Sequence, residues 1–256
     1  MRPEPRDGES LDHLVGGWRI FQLIRGHRFS TDDLVTAWRA RKARPDASRY
    51  LDMGCGIGSV GLSTLYHLPA ETRMVGVEAQ EVSVGLARRT VSWNELSDRV
   101  SIVHGDLRDP NVLPTGSQFD LVTGSPPYIP EGKGVLSPIP QRAHARIELR
   151  GSIFDYCKAA RRWMAPGARF CFVMAAADPR TEAAPLAADL VVLERWDYVF
   201  RAGRPPHIAT LVCARREDVP DAPTRQTGTL VVRGEDGQWT DAYVDFRREV
   251  ANLQDR

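Results

Sequence analysis

The stretch Arg49-Tyr50-Leu51-Asp52-Met53-Gly54-Cys55-Gly56-Ile57-Gly58 decides how this chain folds. A short strand runs into a turn with glycine at every second position, and residues 59–68 follow as a helix that Pro69 ends. Strand, glycine turn and helix in that order open a βαβ unit. Working outward, the alternation recurs. Residues 73–78, 100–104, 119–123 and 169–174 read as further strands, and residues 82–96 and 151–164 as helices, the second stopped by Pro166-Gly167. Strands alternating with helices predict an α/β fold, with a parallel sheet covered on both faces.

The flanks follow other patterns. Residues 1–10 read as a polar tip. Trp18-Arg19-Ile20-Phe21-Gln22-Leu23-Ile24 alternates as a strand does, and Ser30-Thr31-Asp32 offers N-cap oxygens to a helix running on from Asp33. The cations Arg39, Arg41, Lys42 and Arg44 crowd the far end of that helix, where they complement its dipole. After residue 175 come an alanine-rich helix (181–189), two strands (190–200 and 208–214) and a linker (215–226). Residues 229–233 and 241–246 flank Gly234-Glu235-Asp236-Gly237 and are expected to pair as a β-hairpin. The expected division is an N-terminal extension (1–48), an α/β domain (49–214) and a linker with a C-terminal hairpin (215–256).

Composition removes several classes. No apolar run approaches the roughly 20 residues that cross a bilayer, and no apolar segment of a secretory leader follows Met1, so no membrane is expected and the cytoplasm is the expected location. Cys55, Cys157, Cys171 and Cys213 are scattered without a C-x-x-C pair, which argues against a structural zinc site and a disulfide framework. A net charge of +1 is no nucleic-acid footprint by itself. Yet of 34 basic residues only Lys42, Lys133 and Lys158 are lysine. Guanidinium groups suit phosphate through their bidentate fork and suit bases by stacking; a coding bias towards arginine accounts for the excess equally well.

The glycine turn admits two ligands. Gly56-Ile57-Gly58-Ser59-Val60-Gly61 satisfies the dinucleotide pattern G-x-G-x-x-G, with Glu78 at a tolerable distance. The same residues read as Asp52-x-Gly54-x-Gly56-x-Gly58, an acidic strand end followed by close glycines that bring backbone against a ligand. A pyrophosphate wants the free N–H groups, whereas a methionine-derived cofactor also offers an amine that Asp52 suits. Glu78 ends the second strand, where a carboxylate accepts ribose hydroxyls, and Asp106 follows the third, where it accepts from an adenine amino group. Each is individually as readily a cap or turn former; together they mark the ends of three successive strands.

Ser125-Pro126-Pro127-Tyr128 follows the fourth strand. Neither proline offers an N–H to a sheet, so the strand stops there. A hydroxyl, a carbonyl and an aromatic face are left at the edge where open α/β sheets bind ligands. In order and spacing, Asp52 to Gly58, Glu78, Gly105-Asp106 and this fourth motif resemble the motifs of class I S-adenosylmethionine-dependent methyltransferases over residues 49–175. The fourth is similar to the [N/D/S]-P-P-[Y/F/W] signature of enzymes that methylate planar exocyclic amines. Gly26-His27-Arg28-Phe29-Ser30-Thr31-Asp32, Arg142-Ala143-His144-Ala145-Arg146-Ile147-Glu148 and the expected C-terminal hairpin resemble flanking segments of the bacterial tRNA(Val) (adenine-N(6))-methyltransferase family.

The resemblance implies a Rossmann-like, doubly wound sheet of seven strands, order 3-2-1-4-5-7-6 with the seventh antiparallel. It implies S-adenosylmethionine held by Asp32, Asp52, Gly54, Gly56, Gly58, Glu78 and Asp106, and no metal; residues 1–48 either form a lid over the cofactor or pack on the sheet. Catalysis would rest on Ser125, Pro126, Pro127 and Tyr128: hydroxyl and carbonyl hold the two N–H bonds of the amine, and the ring stacks on the base. Ser125 departs from the Asn or Asp usual in adenine-modifying relatives, which leaves the base open. Arg142, Arg146 and Arg150, at i, i+4 and i+8, would share one helical face, towards RNA phosphate or, with Glu148 interspersed, simply towards solvent; Arg201 and Arg204 would extend a phosphate track.

The expected substrate is therefore adenine N(6) in tRNA. Ribosomal RNA, a protein glutamine and a small metabolite stay open, as do an NAD-dependent oxidoreductase and a non-catalytic cofactor-binding subunit. DNA is disfavoured for want of a target-recognition domain, a glutamine substrate by the short stretch ahead of the first strand, and no obligate partner is evident.

Overall fold

The computed structural model describes residues 2–134, 137–221 and 223–251. The chain opens with a hairpin of β1 (Glu9–Val15) and β2 (Trp18–Leu23), followed by α1 (Thr31–Ala43). Then come β3 (Arg49–Met53), α2 (Ser59–Tyr66), β4 (Arg73–Glu78), α3 (Glu81–Trp93), β5 (Val100–His104) and β6 (Phe119–Gly124). After β6 lie α4 (Pro140–Arg146), α5 (Ile153–Trp163), β7 (Met164–Ala175), α6 (Arg180–Ala187), β8 (Leu190–Val199), β9 (Ile208–Arg215), β10 (Gln226–Val231) and α7 (Asp241–Ala251).

Eight of these strands form one sheet in the order β10-β8-β9-β7-β6-β3-β4-β5. Counted from β3, seven of them follow the expected order, and β9 runs antiparallel to both its neighbours. Strand alternation sorts the core into two layers. Tyr50, Met74 and Leu121 pack with Leu62 and Leu65 of α2 and Val91 of α3, while Leu51, Val122, Phe170 and Phe172 pack with Cys157, Ala160 and Trp163 of α5. Among the described residues no helix is long and apolar enough to cross a membrane.

Both ends depart from the sequence reading. Residues 9 and 10 belong to β1 rather than to a polar tip, and Glu9 is held by Arg89 of α3 at 2.6 Å. The small hairpin is thus N-terminal, with Ile20 and Phe21 fully buried against α2 and α3 and the Phe21 N–H donated to Thr90 Oγ1 at 3.0 Å.

The expected C-terminal hairpin does not form. Its first arm, β10, pairs in parallel with β8 and adds an eighth strand to the sheet. The turn does close, with Gly234 N–H donated to the Gln238 carbonyl and a single bridge between Arg233 and Trp239. The second arm is helix α7 instead. Tyr243, Phe246 and Val250 are buried at i, i+3 and i+7, a helical face that joins Val35 and Trp38 of α1. The cations ending α1 are also more specific than a dipole effect: Arg39 pairs with Glu194 between the rings of Trp38 and Trp196, and Arg41 and Lys42 pair with Glu249 of α7.

Candidate active site

Register decides what stands together. Asp52 is paired with Thr123 and Met53 with Gly124, so the glycine turn after β3 and the Ser-Pro-Pro-Tyr turn after β6 leave the sheet side by side. Strand order reverses between these two strands, which opens a crevice at their carboxyl ends. A cleft of about 700 Å³ fills it, lined by both turns, residues 24–30, Glu78, Asp106 and residues of α4 and α5.

Gly54, Gly56 and Gly58 all have positive φ, the left-handed region where a side chain is strained. A β-carbon on Gly56 would meet nothing within 4 Å, so this turn offers bare backbone to the cleft. On Gly54 a β-carbon would lie 2.1 Å from the Tyr156 hydroxyl. Gly58 starts α2 and does not line the cleft.

The carboxylates are held unequally. Asp52 is 1% exposed; its Oδ1 accepts the Thr123 hydroxyl at 2.6 Å, while Oδ2 is buried without a hydrogen-bond partner. Burial pushes its pKa up to about 7. Glu78 is buried too and accepts N–H groups from Gly56 (2.9 Å) and Gln80 (2.6 Å), which leaves lone pairs on both oxygens. Its pKa is raised, again by burial. Asp106 differs: Arg108 engages both its oxygens and holds it below the usual carboxylate range. It lines the cleft with its carboxylate already partnered.

The fourth motif stands open. Ser125 is half-buried, and neither its hydroxyl nor the Pro126 carbonyl has a hydrogen-bond partner among the described residues. Pro126, Pro127 and Tyr128 line the same wall, and the Tyr128 hydroxyl donates to the Asp32 carboxylate at the start of α1. Burial, then the negative charge of Asp32, raises the Tyr128 pKa. Asp32 lines the cleft beside Tyr128, with its carboxylate engaged by that hydroxyl.

The expected arginine face is divided. Arg142 and Arg146 share α4 and line the cleft, but Ile147 is extended and bridges Ile129, ending the helix before Arg150. Arg150 lines the cleft as well, from outside the helix, and donates to the Ala79 carbonyl at 3.0 Å.

Four residues entered the site without a sequence signal that singled them out. Tyr156 belongs to the buried stripe of α5 yet wedges its ring between Gly54 and Gly124 and lines the cleft. Asp33 reads as a cap residue but also accepts the Ser59 hydroxyl at 2.8 Å, joining α1 to the glycine turn, and burial raises its pKa. Gln141 of α4 is buried and accepts the His27 N–H at 2.6 Å, latching the segment before α1 across the cleft. His207, just ahead of β9, closes one end. Among the described residues no group of three or more His, Cys, Asp or Glu side chains is placed to hold a metal ion.

A family model for the methyltransferase small domain matches residues 31–154, which span both turns and the first turn of α1. That match, just under half of the chain, marks a methyltransferase small domain like those of the class I S-adenosylmethionine-dependent methyltransferases. Several relatives bracket this methyltransferase. The tRNA1(Val) (adenine(37)-N6)-methyltransferase of Haemophilus influenzae is 23% identical over 217 residues, 84% of this chain and 87% of that one. The release factor glutamine methyltransferase of Caulobacter vibrioides is 30% identical over 154 residues, 56% of this chain and 51% of that one. The methyltransferase thus spans about half the length of that relative, and a quarter of the human MTRF1L release factor glutamine methyltransferase, to which it is 34% identical over 88 residues. Among solved structures, a predicted O-methyltransferase from Agrobacterium tumefaciens superposes with a TM-score of 0.59 at 17% identity, covering 86% of this chain and 97% of that one, which supports the fold.

The family's methyl donor is S-adenosylmethionine, and the cleft fits it. An unpartnered, buried Asp52 oxygen suits an ammonium, the spare lone pairs of Glu78 suit ribose hydroxyls, and the bare backbone at Gly56 admits close approach.

Proposed function

We propose that this methyltransferase places a methyl group on an exocyclic base amine, adenine N(6) in tRNA. The observation that carries the reading is the pair of free acceptors, Ser125 Oγ and the Pro126 carbonyl, fixed one strand from the glycine turn. An aromatic amine is a weak nucleophile because its lone pair is delocalised into the ring. Two acceptors lying off the ring plane hold its N–H bonds in a pyramidal posture and aim the lone pair across the cleft. Tyr128 stacks on the base, with its hydroxyl tethered by Asp32. S-adenosylmethionine supplies a methyl already activated by positive sulfur, so orientation is the main task left to the protein. Asp52, Glu78 and the backbone from Gly54 to Ile57 would hold that donor. No base need act before attack, since the product ammonium loses its proton afterwards.

The target nucleotide must be unstacked to reach a cleft at the strand ends. Arg142 and Arg146, exposed at its mouth, suit the phosphates on either side. The similarity to the Haemophilus tRNA enzyme over most of both chains supports this substrate. The Caulobacter relative supports a second reading, a protein glutamine, whose amide is equally planar. Labelled S-adenosylmethionine incubated with total tRNA, ribosomal RNA, a glutamine-containing peptide and a metabolite extract separates the two. Label recovered as N6-methyladenosine from tRNA is the expected result; label confined to peptide or metabolite refutes it.

A further inference from the structure

We infer that Phe200 and His207 form a stacking platform for a nucleobase next to the target, on the rim of the cleft; the inference rests on the RNA reading above. β9 is antiparallel to both β7 and β8, so β7 and β8 run the same way and the loop between β8 and β9 emerges at the edge that carries Ser125. Within that loop the His207 carbonyl accepts the Ala176 N–H at 3.1 Å, which seats His207 beside the end of β7. Two strand spacings, roughly 10 Å, separate β9 from β6. The His207 side chain is exposed and lines the same cleft as Ser125 and Tyr128.

Phe200 lies against it, with ring centroids 5.0 Å apart and planes tilted by 47°. The fold buries most of its large apolar side chains, yet Phe200 is 37% exposed. An exposed ring braced by a second ring at the mouth of a cleft is what an unstacked base needs. The charges nearby agree. Arg39, Arg89, Arg180, Arg195 and Arg215 are all paired with carboxylates. Arg204 of this loop and Arg142 and Arg146 across the cleft are exposed and make no ion pair among the described residues. Unpaired guanidiniums in the loop that carries the aromatic pair and along the cleft supply charge for the phosphates that flank a stacked base in single-stranded RNA.

The test compares Phe200→Ala, Phe200→Leu, Phe200→Tyr and His207→Ala with the parent, using a tRNA transcript that the parent labels and a short oligonucleotide that contains only the target base and its 5′ phosphate. With the transcript, KM should rise about tenfold in the Ala and Leu variants and stay near the parent value in Phe200→Tyr, because stacking needs the ring and not merely apolar volume. With the short oligonucleotide the three Phe200 variants should match the parent, and Leu186→Ala, which removes an exposed apolar side chain elsewhere, should change neither substrate. An unchanged transcript KM in Phe200→Leu, or an equal loss on both substrates, overturns the platform while leaving the RNA reading intact. Failure of the parent to label any RNA, with label entering a glutamine peptide, overturns both.

Discussion

Tyr128 donates its hydroxyl to the carboxylate of Asp32 across 96 positions of sequence, tying the turn after β6 to the start of α1. The prolines fix one end of this aromatic side chain and Asp32 the other, so the ring face presented to the cleft is set at two points. Tyr128→Phe keeps the ring and loses the tether, and should lower kcat roughly two- to tenfold. Tyr128→Ala removes the stacking surface and should lower it about ten- to a hundredfold. In both, as in Ser125→Ala, titration calorimetry should find donor affinity within about twofold of the parent, because none of these groups is needed to hold the donor. Loss of donor binding in these variants contradicts the assignment of the motif to the substrate side.

Asp52 makes the methyltransferase sensitive to pH. Its folded pKa of about 7 lies above the ordinary value of 3.8, so the folded state holds this proton more tightly than the unfolded chain does. The stability contributed by the group is complete below about pH 4 and is lost as pH rises through 7. Asp52→Asn should therefore melt higher than the parent at pH 8 and converge with it only below about pH 4. On the proposal that the Asp52 carboxylate meets the donor's ammonium, parental affinity should rise roughly five- to tenfold between pH 6 and 7.5. A flat affinity profile in the parent would show that Asp52 does not meet the donor's ammonium.

Gly54 and Tyr156 constrain one another. Ala at position 54 meets a positive φ of 61° and the Tyr156 hydroxyl, and should lower stability by about 1–3 kcal/mol. Adding Tyr156→Phe relieves the contact but not the backbone strain, so the double variant should be more stable than the sum of the two single changes. Strict additivity in urea melts rules out the contact as a source of the cost.

Gln141→Leu tests the latch across the cleft. It leaves the His27 N–H without its acceptor and should destabilise the closed arrangement by about 1–3 kcal/mol. Amide exchange should speed up locally at residues 26–30, ahead of any global unfolding, and donor affinity should fall with it. Uniform exchange across the chain would instead mark Gln141 as a general packing residue.

Local chemistry was enough to place the two turns that stand at one edge of the sheet. Glycines at alternate positions bend backbone wherever they stand, adjacent prolines end a strand for want of N–H groups, and alternating strands and helices leave a parallel sheet as the packed solution. These features act within a few residues, which is why Asp52, Glu78 and the turn at Ser125 were legible from the chain alone. Over six residues, however, the alternation of 241–246 suits a strand as readily as a helix. Burial of Tyr243, Phe246 and Val250 against α1 resolved it, because that surface is built by residues some 200 positions away.

The partners of the carboxylates were likewise beyond local reading. That Arg108 occupies Asp106, that Asp52 keeps one buried oxygen unpartnered, and that Asp33, Gln141 and Tyr156 brace the cleft all depend on strand register and on segments that meet only when the sheet closes. By itself, then, the sequence determined the sheet, the turn at its edge and the acceptors at Ser125 and Pro126, through short-range backbone sterics. Tertiary structure alone decided which charged groups are free to meet a ligand, because a side chain's availability is set by whatever the rest of the fold brings beside it.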